Sequence, residues 1–239
     1  MEPLLSPKRS TLNAQLHRGV TLIELIVVAA IIGVLSVVII TSQAKFNKSV
    51  LLSSTAYDVA LAIRSAETFG LGSRVTLQGT RSNTGYGVRF NLNTNAFLIF
   101  IDNEEPDPLK VNPCHKIPVT GPDAPNATPG NCSYNPAPTA TPAIDPTVQT
   151  FTLGNKVSVT DICAYAATHS PQWECGRTAL DVVFSRPNTT TYLSVGGNPY
   201  DVAYTRAYIA LTAPQGGNSM YVCINATGII SVVSLASSC

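Results

Sequence analysis

The sequence predicts an α+β protein in which a long hydrophobic N-terminal α-helix packs on an antiparallel β-sheet globular domain. Three observations predict this class. Residues 20–44 carry one charge, that of Glu24, over a length that can cross a membrane as a helix. Apolar side chains then recur every three or four residues up to Ala66, which is the period of a helix face. Beyond Gly72 the chain breaks into short β-branched runs separated by turn residues.

The helix is predicted over residues 20–69, about 75 Å at 1.5 Å per residue. Residues 20–44 form its transmembrane half and residues 45–72 its amphipathic half. The apolar stripe of the second half is expected to face a sheet, and it consists of Leu52, Ala56, Val59, Ile63 and Ala66. Gly70 and Gly72 are expected to end the helix, because glycine is a poor helix former.

Residues 73–239 are predicted to form the β-rich domain. Its predicted strands cover residues 74–78, 86–90, 96–101, 151–153, 156–162, 179–184, 191–195, 203–211, 219–225 and 229–233. A tight turn is expected at 83–85, and a hairpin turn at 225–228 joins the last two strands.

A proline-rich insertion at about 103–150 interrupts this pattern, since 11 of the 17 prolines lie between Pro106 and Pro146. A solvated inserted loop is favoured over a polyproline-type ligand. The acidic run from Asp102 to Asp107 offers oxygen ligands for calcium, but its spacing fits no known loop. A solvated acidic turn is therefore the favoured interpretation.

The charge balance of 15 basic and 14 acidic residues excludes the strongly basic signature of a broad nucleic-acid-binding face. All six cysteines follow the hydrophobic segment, which favours an oxidising compartment and up to three disulfides over free thiols. Six cysteines allow fifteen pairings. Local spacing favours the pairs Cys114–Cys132, Cys163–Cys175 and Cys223–Cys239.

No catalytic signature is found, so an enzyme is the least favoured class. Cys163, His169 and Cys175 are residue types that bind zinc, but zinc sites usually have closely spaced cysteine pairs. A Cys163–Cys175 disulfide is favoured over a metal site, and over a Cys–His nucleophile pair. No metal or cofactor is expected.

Three interpretations compete for the N-terminal segment. A secretory signal peptide would be cut near Ala44, but the apolar run is too long for one. A plain single-pass anchor explains the length but not Glu24, because a carboxylate in hydrocarbon is costly and usually has a function. The third interpretation explains both features: residues 18–25, Arg-Gly-Val-Thr-Leu-Ile-Glu-Leu, closely resemble the type IV prepilin signal.

This resemblance implies that a membrane prepilin peptidase cuts after Gly19 and methylates the new amine of Val20. It also implies that the 1–19 leader is lost and that the hydrophobic helix stays and packs in a filament core. In the family, the residue matching Glu24 neutralises the amine of a neighbouring subunit, and an intrachain pair is the alternative. Val20 departs from the family, where Phe or Met is usual.

Three further stretches, 59–67, 182–187 and 221–228, resemble the GspH/FimT type of minor pilin or pseudopilin. The resemblance implies a structural or assembly subunit of a type IV pilus or type II secretion system. The alternative is a binding module at a filament tip, either an adhesin or a DNA-uptake receptor. Relatives that bind DNA carry arginine after the hairpin glycine, but Gly228 is followed by Ile229, Ile230 and Ser231, so nucleic acid is disfavoured.

The expected partners are other pilins or pseudopilins, prepilin peptidase and inner-membrane lipid. The expected location is the inner membrane, crossed once, with the globular domain outside the cytoplasm. Assembly would then give a periplasmic or extracellular filament. Basic residues on the short N-terminal side of the apolar run, at Lys8, Arg9 and Arg18, favour this orientation.

Overall fold

The structure is a computed structural model that describes residues 19–72, 85–103, 130–136, 145–184, 191–197, 203–214 and 218–239. The chain divides into two compact units, Met1–Phe46 and Asn47–Cys239. The leader residues 1–18, the predicted strand 74–78 and most of the proline-rich insertion lie outside the described residues.

One helix, α1, spans Leu22–Leu71 and contributes to both units. In the first unit its apolar side chains are exposed, including Ile23, Ile32 and Val38. Among the described residues, Leu22–Ile40 is one stretch that is long and apolar enough to cross a membrane. Within the described part of its unit this helix segment is apolar on all sides and exposed, and such a helix requires a nonaqueous or protein environment.

In the second unit the predicted apolar stripe of α1 is confirmed, because all five of its side chains are at most 2% exposed. The helix continues through Gly70, which the sequence predicted would end it. A Cβ at Gly70 would lie 2.5 Å from the carbonyl oxygen of Phe184. Glycine is therefore present here because α1 approaches a strand backbone closely, and the helix ends only after Leu71.

In the part of the chain that the structure describes, the strands form two antiparallel five-stranded sheets, where the sequence predicted one. Their bounds are β1 Gly85–Asn91, β2 Ala96–Asp102, β3 Thr147–Thr152, β4 Ser158–Tyr165, β5 Trp173–Glu174, β6 Ala179–Phe184, β7 Thr191–Val195, β8 Arg206–Thr212, β9 Ser219–Asn225 and β10 Ile230–Val233. Sheet A has the order β3-β2-β1-β6-β7, and sheet B has the order β10-β9-β8-β4-β5.

Several strand boundaries differ from the prediction. Gly85 begins β1, and the other two residues of the predicted tight turn at 83–85 lie outside the described residues. Lys156 lies in a short 3-10 turn at Gly154–Lys156 before β4. The two-residue strand β5 was missed, because it is too short to show a period. The hairpin turn after Asn225 is confirmed, since β9 and β10 pair across it and Gly228 has a φ of 86°.

One hydrophobic core holds the second unit together. It joins the α1 stripe to the inward-facing side chains of both sheets, such as Val88, Val182, Ile209 and Val222. The helix is also tied to the β9–β10 turn, because Arg64 Nη1 donates to the Gly228 carbonyl at 2.9 Å. The helix and the two sheets bury their apolar side chains against one another, and this burial makes the unit compact.

Part of the insertion is buried, which corrects the solvated-loop prediction for residues 130–136. We call this segment the strap. Asn131, Cys132 and Ser133 are at most 2% exposed, and Cys132 packs with Phe100 and Val183 on the outer face of sheet A. The predicted solvated acidic turn is likewise wrong for Asp102, which is 1% exposed. The other acidic residues of that run lie outside the described residues.

Both described disulfides lie on the outer face of sheet B. Cys163 is bonded to Cys175, and Cys223 is bonded to Cys239. Cys163 and Cys223 pack with Tyr208 and Trp173 in a small hydrophobic cluster separate from the main core. Cys114 lies outside the described residues, so the predicted Cys114–Cys132 pair stays a prediction.

Candidate processing and assembly site

The predicted cleavage point lies in exposed chain just ahead of the helix. Gly19 and Val20 are both exposed, and the side chain of Val20 is 69% exposed. Neither residue is helical, because α1 begins at Leu22. A peptidase must bind the backbone around the bond that it cuts, so a nonhelical, exposed Gly19–Val20 bond has the geometry that cleavage needs.

Thr21 caps the N-terminus of α1. Its Oγ1 accepts a hydrogen bond from the backbone N–H of Glu24 at 3.3 Å, and its carbonyl accepts from the N–H groups of Glu24 and Leu25. Threonine at the cap with glutamate three residues later is the capping-box pattern. The Thr-Leu-Ile-Glu string therefore specifies where the helix begins, independently of any role in assembly.

Glu24 is exposed in the first turn of α1. A carboxylate there is favoured by the unpaired N–H groups and the positive end of the helix dipole. The predicted intrachain pair relied on helical i,i+4 spacing between Val20 and Glu24. The structure begins the helix at Leu22, so Val20 is outside it and that spacing does not apply to the uncut chain.

A second polar cluster, which the sequence reasoning missed, fastens the strap to sheet A. The Asp181 carboxylate is fully buried, with Arg89 Nη1 2.9 Å from its Oδ2. Asp181 also accepts from Ser133 Oγ and from the Tyr134 N–H, each at 3.2 Å. Burial raises the pKa of Asp181 to about 6, although Arg89 acts in the opposite direction.

Two more aspartates hold the strap by its backbone. Asp102 accepts from the N–H groups of Asn131 and Cys132 at 2.9 and 2.8 Å. Asp145 accepts from the N–H groups of Asn103 and Asn135, both at 2.8 Å. Burial raises the pKa of Asp102 well above its usual range, and the nearby Asp145 charge adds to the rise. Side chains along β2 and β6 alternate between the core face and the outer face of the sheet. This alternation places Asp102 and Asp181 on the outer face, and it was the feature of the sequence from which their position could have been predicted.

The residues considered for metal binding or catalysis do not form such a site. Asp161, Cys163 and Cys175 lie within ligand distance of one another. The two cysteines are joined in a disulfide, however, and so are not thiolate ligands. His169 pairs with Glu174, which also pairs with Arg177 and accepts from the Tyr204 hydroxyl at 2.8 Å. These contacts form a polar network around Glu174, whose side chain is 10% exposed.

Comparison with known families agrees with the N-terminal geometry. A family model described as the prokaryotic N-terminal methylation motif matches residues 15–40. The match supports a type IV prepilin-like protein, and it covers both the exposed Gly19–Val20 bond and the capped start of α1. Comparisons with curated proteins and with solved structures give no significant match. A type IV prepilin-like chain implies processing by prepilin peptidase and assembly with other pilins.

Proposed function

We propose that this chain is a minor pilin or pseudopilin of the GspH/FimT type, a structural and assembly subunit of a type IV pilus or a type II secretion system. It is cut after Gly19, methylated at Val20 and held in the membrane by α1 until it enters a filament. The globular domain lies outside the cytoplasm, and the leader comprises residues 1–19.

The observation that carries the proposal is the coincidence of three features within a few residues. The methylation motif spans residues 15–40, the Gly19–Val20 bond is exposed, and a membrane-length apolar helix starts directly after it. A signal peptide would lose this helix, and a plain anchor would not need the motif. The α+β globular unit and its disulfides support an exported filament subunit.

The test is the mass of the mature N-terminus in membranes that contain prepilin peptidase. We expect a chain that begins at Val20, carries a methylated amine and retains α1. Gly19→Val should block cutting, because a branched side chain obstructs the enzyme at the scissile bond. A Cβ at Gly19 meets no protein atom within 4 Å, so the substitution should leave the fold intact.

Gly33→Val is the matched control, because Gly33 is an equally open glycine inside α1. This variant should be cut normally. A mature N-terminus at Lys45 would instead show an ordinary signal peptide and overturn the proposal. An uncut wild-type chain in the presence of active peptidase would also overturn it.

A further inference from the structure

The outer strands of the two sheets differ in how much of their edge is open. Within the described part of the chain, sheet A ends in β3 and β7, and sheet B ends in β10 and β5. Strand β5 has two residues, β10 has four, and β7 is buried at all but one of its five positions. Strand β3 has six residues, of which five are exposed. It is therefore the one long and exposed edge among these four.

Strand β3 also lacks the features with which proteins usually block an open edge. Such edges commonly carry charged residues or proline, which prevent another strand from pairing. Residues 146–155 contain no charged residue, and no proline lies inside β3. A register shift between Ile99 and Phe100 affects only the start of the strand, so its pairing with β2 is regular from Gln149 to Thr152. The second half of β3 is thus a regular, uncharged edge.

The backbone of β3 presents hydrogen-bonding groups on its open side. The Leu153 N–H donates to the Asn95 carbonyl at 2.7 Å, which fixes the phase of the ladder. Because residues of an antiparallel pair alternate between bonded and non-bonded positions, Phe151 bonds to β2, and the N–H and C=O groups of Thr150 and Thr152 point away from it. In the described residues no strand pairs with this side of β3. These backbone groups can therefore bind a further strand.

A groove lies beside this open edge, between α1 and β3. Its volume is about 280 Å³, and Phe151, Thr152 and Leu61 lie in its wall. Leu61 is 64% exposed, and Phe151 is half-buried and stacks on Phe97, with ring centroids 5.0 Å apart. Among the described residues that line the groove, Asp58 alone is charged, and it is exposed. The groove and the edge both belong to the second unit.

We infer that β3 and this groove bind an extended strand of a partner protein, which adds to sheet A by pairing with Thr150 and Thr152. An added strand lies about 4.8 Å from β3 and points every second side chain to the face that carries α1. The groove lies on that face, so it fits an apolar side chain against Leu61 and Phe151, and Asp58 fits a lysine or arginine next along the same face. The partner is thus an otherwise uncharged strand with one apolar and one basic side chain at alternate positions. Main-chain pairing supplies the affinity in this mode of recognition, and the side-chain pockets supply the specificity.

A designed peptide tests the inference on the full-length chain in nanodiscs. The probe is the capped peptide Thr-Val-Thr-Phe-Thr-Lys-Thr, which places valine, phenylalanine and lysine on one face of a strand. Amide hydrogen exchange is measured residue by residue by NMR. At saturating peptide the Thr150 and Thr152 amides should exchange about tenfold more slowly or slower still, because each gains a hydrogen bond. The Phe151 amide already bonds to β2, so its exchange should change much less.

Three variants separate strand addition from nonspecific contact. Thr150→Pro removes one outward N–H and leaves the ladder to β2 intact, and it should weaken peptide binding about tenfold. Thr150→Val keeps that N–H and should bind as the wild type does. Asp58→Lys should bind the lysine peptide poorly and should recover binding with the peptide that carries glutamate instead. Slow exchange of the amide of Val88, which is fully buried, shows in every variant that the fold is kept.

Unchanged exchange at Thr150 and Thr152 with both peptides would overturn the inference. Protection of these amides before peptide is added would show that the chain's own residues cover the edge. Protection that rises with protein concentration would assign the edge to a second copy of the chain, and either result would equally overturn the inference. The inference concerns the second unit alone, so the N-terminal mass of the same samples reports on processing independently.

Discussion

At the scale of single residues, two ion pairs in different surroundings show what burial does to a charge. Arg89 pairs with Asp181, whose side chain is fully buried beneath the strap. Arg177 pairs with Glu174 at the surface, where the arginine side chain is 43% exposed. Breaking the Arg89–Asp181 pair leaves a buried charge without its cationic partner, whereas losing Arg177 leaves Glu174 with its contacts to His169 and the Tyr204 hydroxyl.

Arg89→Leu should therefore lower the free energy of unfolding by roughly 3–5 kcal/mol at pH 8, where Asp181 is ionised. Arg177→Leu, the matched variant, should cost clearly less, because Glu174 keeps its contacts with His169 and the Tyr204 hydroxyl. Urea unfolding of the detergent-solubilised chain, followed by fluorescence of the single tryptophan, Trp173, measures both. Equal losses in the two variants would contradict the assignment of Asp181 as a buried charge.

The raised pKa of Asp181 also predicts a pH dependence. The unfolded carboxyl titrates near 3.8 and the folded one near 6, so between these values the folded state binds more protons. The contribution of Asp181 to the free energy of unfolding is fully present below about pH 4. It is lost as pH rises through 6, by roughly 3 kcal/mol in total. Asp102, whose pKa is raised by burial as well, acts in the same direction.

The measurement is the difference in unfolding free energy between pH 4 and pH 7 for the wild type and for Asp181→Asn. The wild type should lose more stability over this interval, because the asparagine variant has no proton to release. Asp58→Asn, at an exposed position on α1, is the control and should match the wild type. An Asp181→Asn variant that also matched the wild type would show that this carboxyl does not titrate as described.

At the scale of elements, patterns in the sequence predicted the helix face and the strands that depend on the spacing of neighbouring residues. The α1 stripe recurs at helical spacing, so its buried residues could be identified from sequence. The strands 179–184, 191–195 and 219–225 agree with the structure at both ends. The two-sheet arrangement could not be predicted in this way, because β1 pairs with β6 across a sequence separation that no local pattern records.

The strap was missed for a related reason. It has no period, and proline-rich composition favours a solvated loop. Its burial depends on aspartates that come from β2, β6 and the segment before β3 and that meet only in the folded domain. Backbone N–H groups of an irregular segment can be buried only where such acceptors are supplied.

The close packing of α1 on β6 gives a prediction at this scale. Gly70→Ala would place a methyl group 2.5 Å from the Phe184 carbonyl oxygen, which is backbone and cannot rotate away. The helix must shift outward, and we expect a loss of about 1–3 kcal/mol in the free energy of unfolding. Gly154→Ala is the control, because a Cβ there meets nothing within 4 Å. Urea unfolding midpoints of the two variants should differ clearly, and equal midpoints would contradict the close approach.

At the scale of the whole molecule, the N-terminal site could be predicted because its signal is linear. Gly19, Val20 and Glu24 lie within six consecutive residues, so the N-terminal methylation motif can be recognised from the order of residues alone. The polar cluster around Asp181 could not be predicted, because Arg89, Ser133 and Asp181 come from three distant segments. A motif of consecutive residues can be recognised in the sequence alone, whereas a cluster built from distant segments exists only in the folded protein.

Glu24 connects the single residue to the filament. Its local role is at the start of the helix: Glu24 is the fourth residue of the capping-box pattern that begins with Thr21, and its backbone N–H donates to Thr21 Oγ1. The resemblance to prepilins implies a second role, in which Glu24 would neutralise the amine of a neighbouring subunit. Glu24→Gln separates the two roles, because glutamine also serves in a capping box but carries no charge.

We therefore expect Glu24→Gln to fold, insert and be cut normally, but to enter filaments poorly. In the assembled state the amine of an adjacent subunit would lie in apolar surroundings without its counter-ion, which costs several kcal/mol per contact. The measurement compares membrane-held and sheared-filament fractions with those of the wild type. Thr21→Val is the control, because it removes the capping hydroxyl and keeps the charge, so it should still assemble. Equal recovery of Glu24→Gln in filaments would reject the pairing role and leave the helix cap and peptidase recognition as the reasons for this glutamate. Loss from both fractions would indicate misfolding, which the preserved capping pattern argues against.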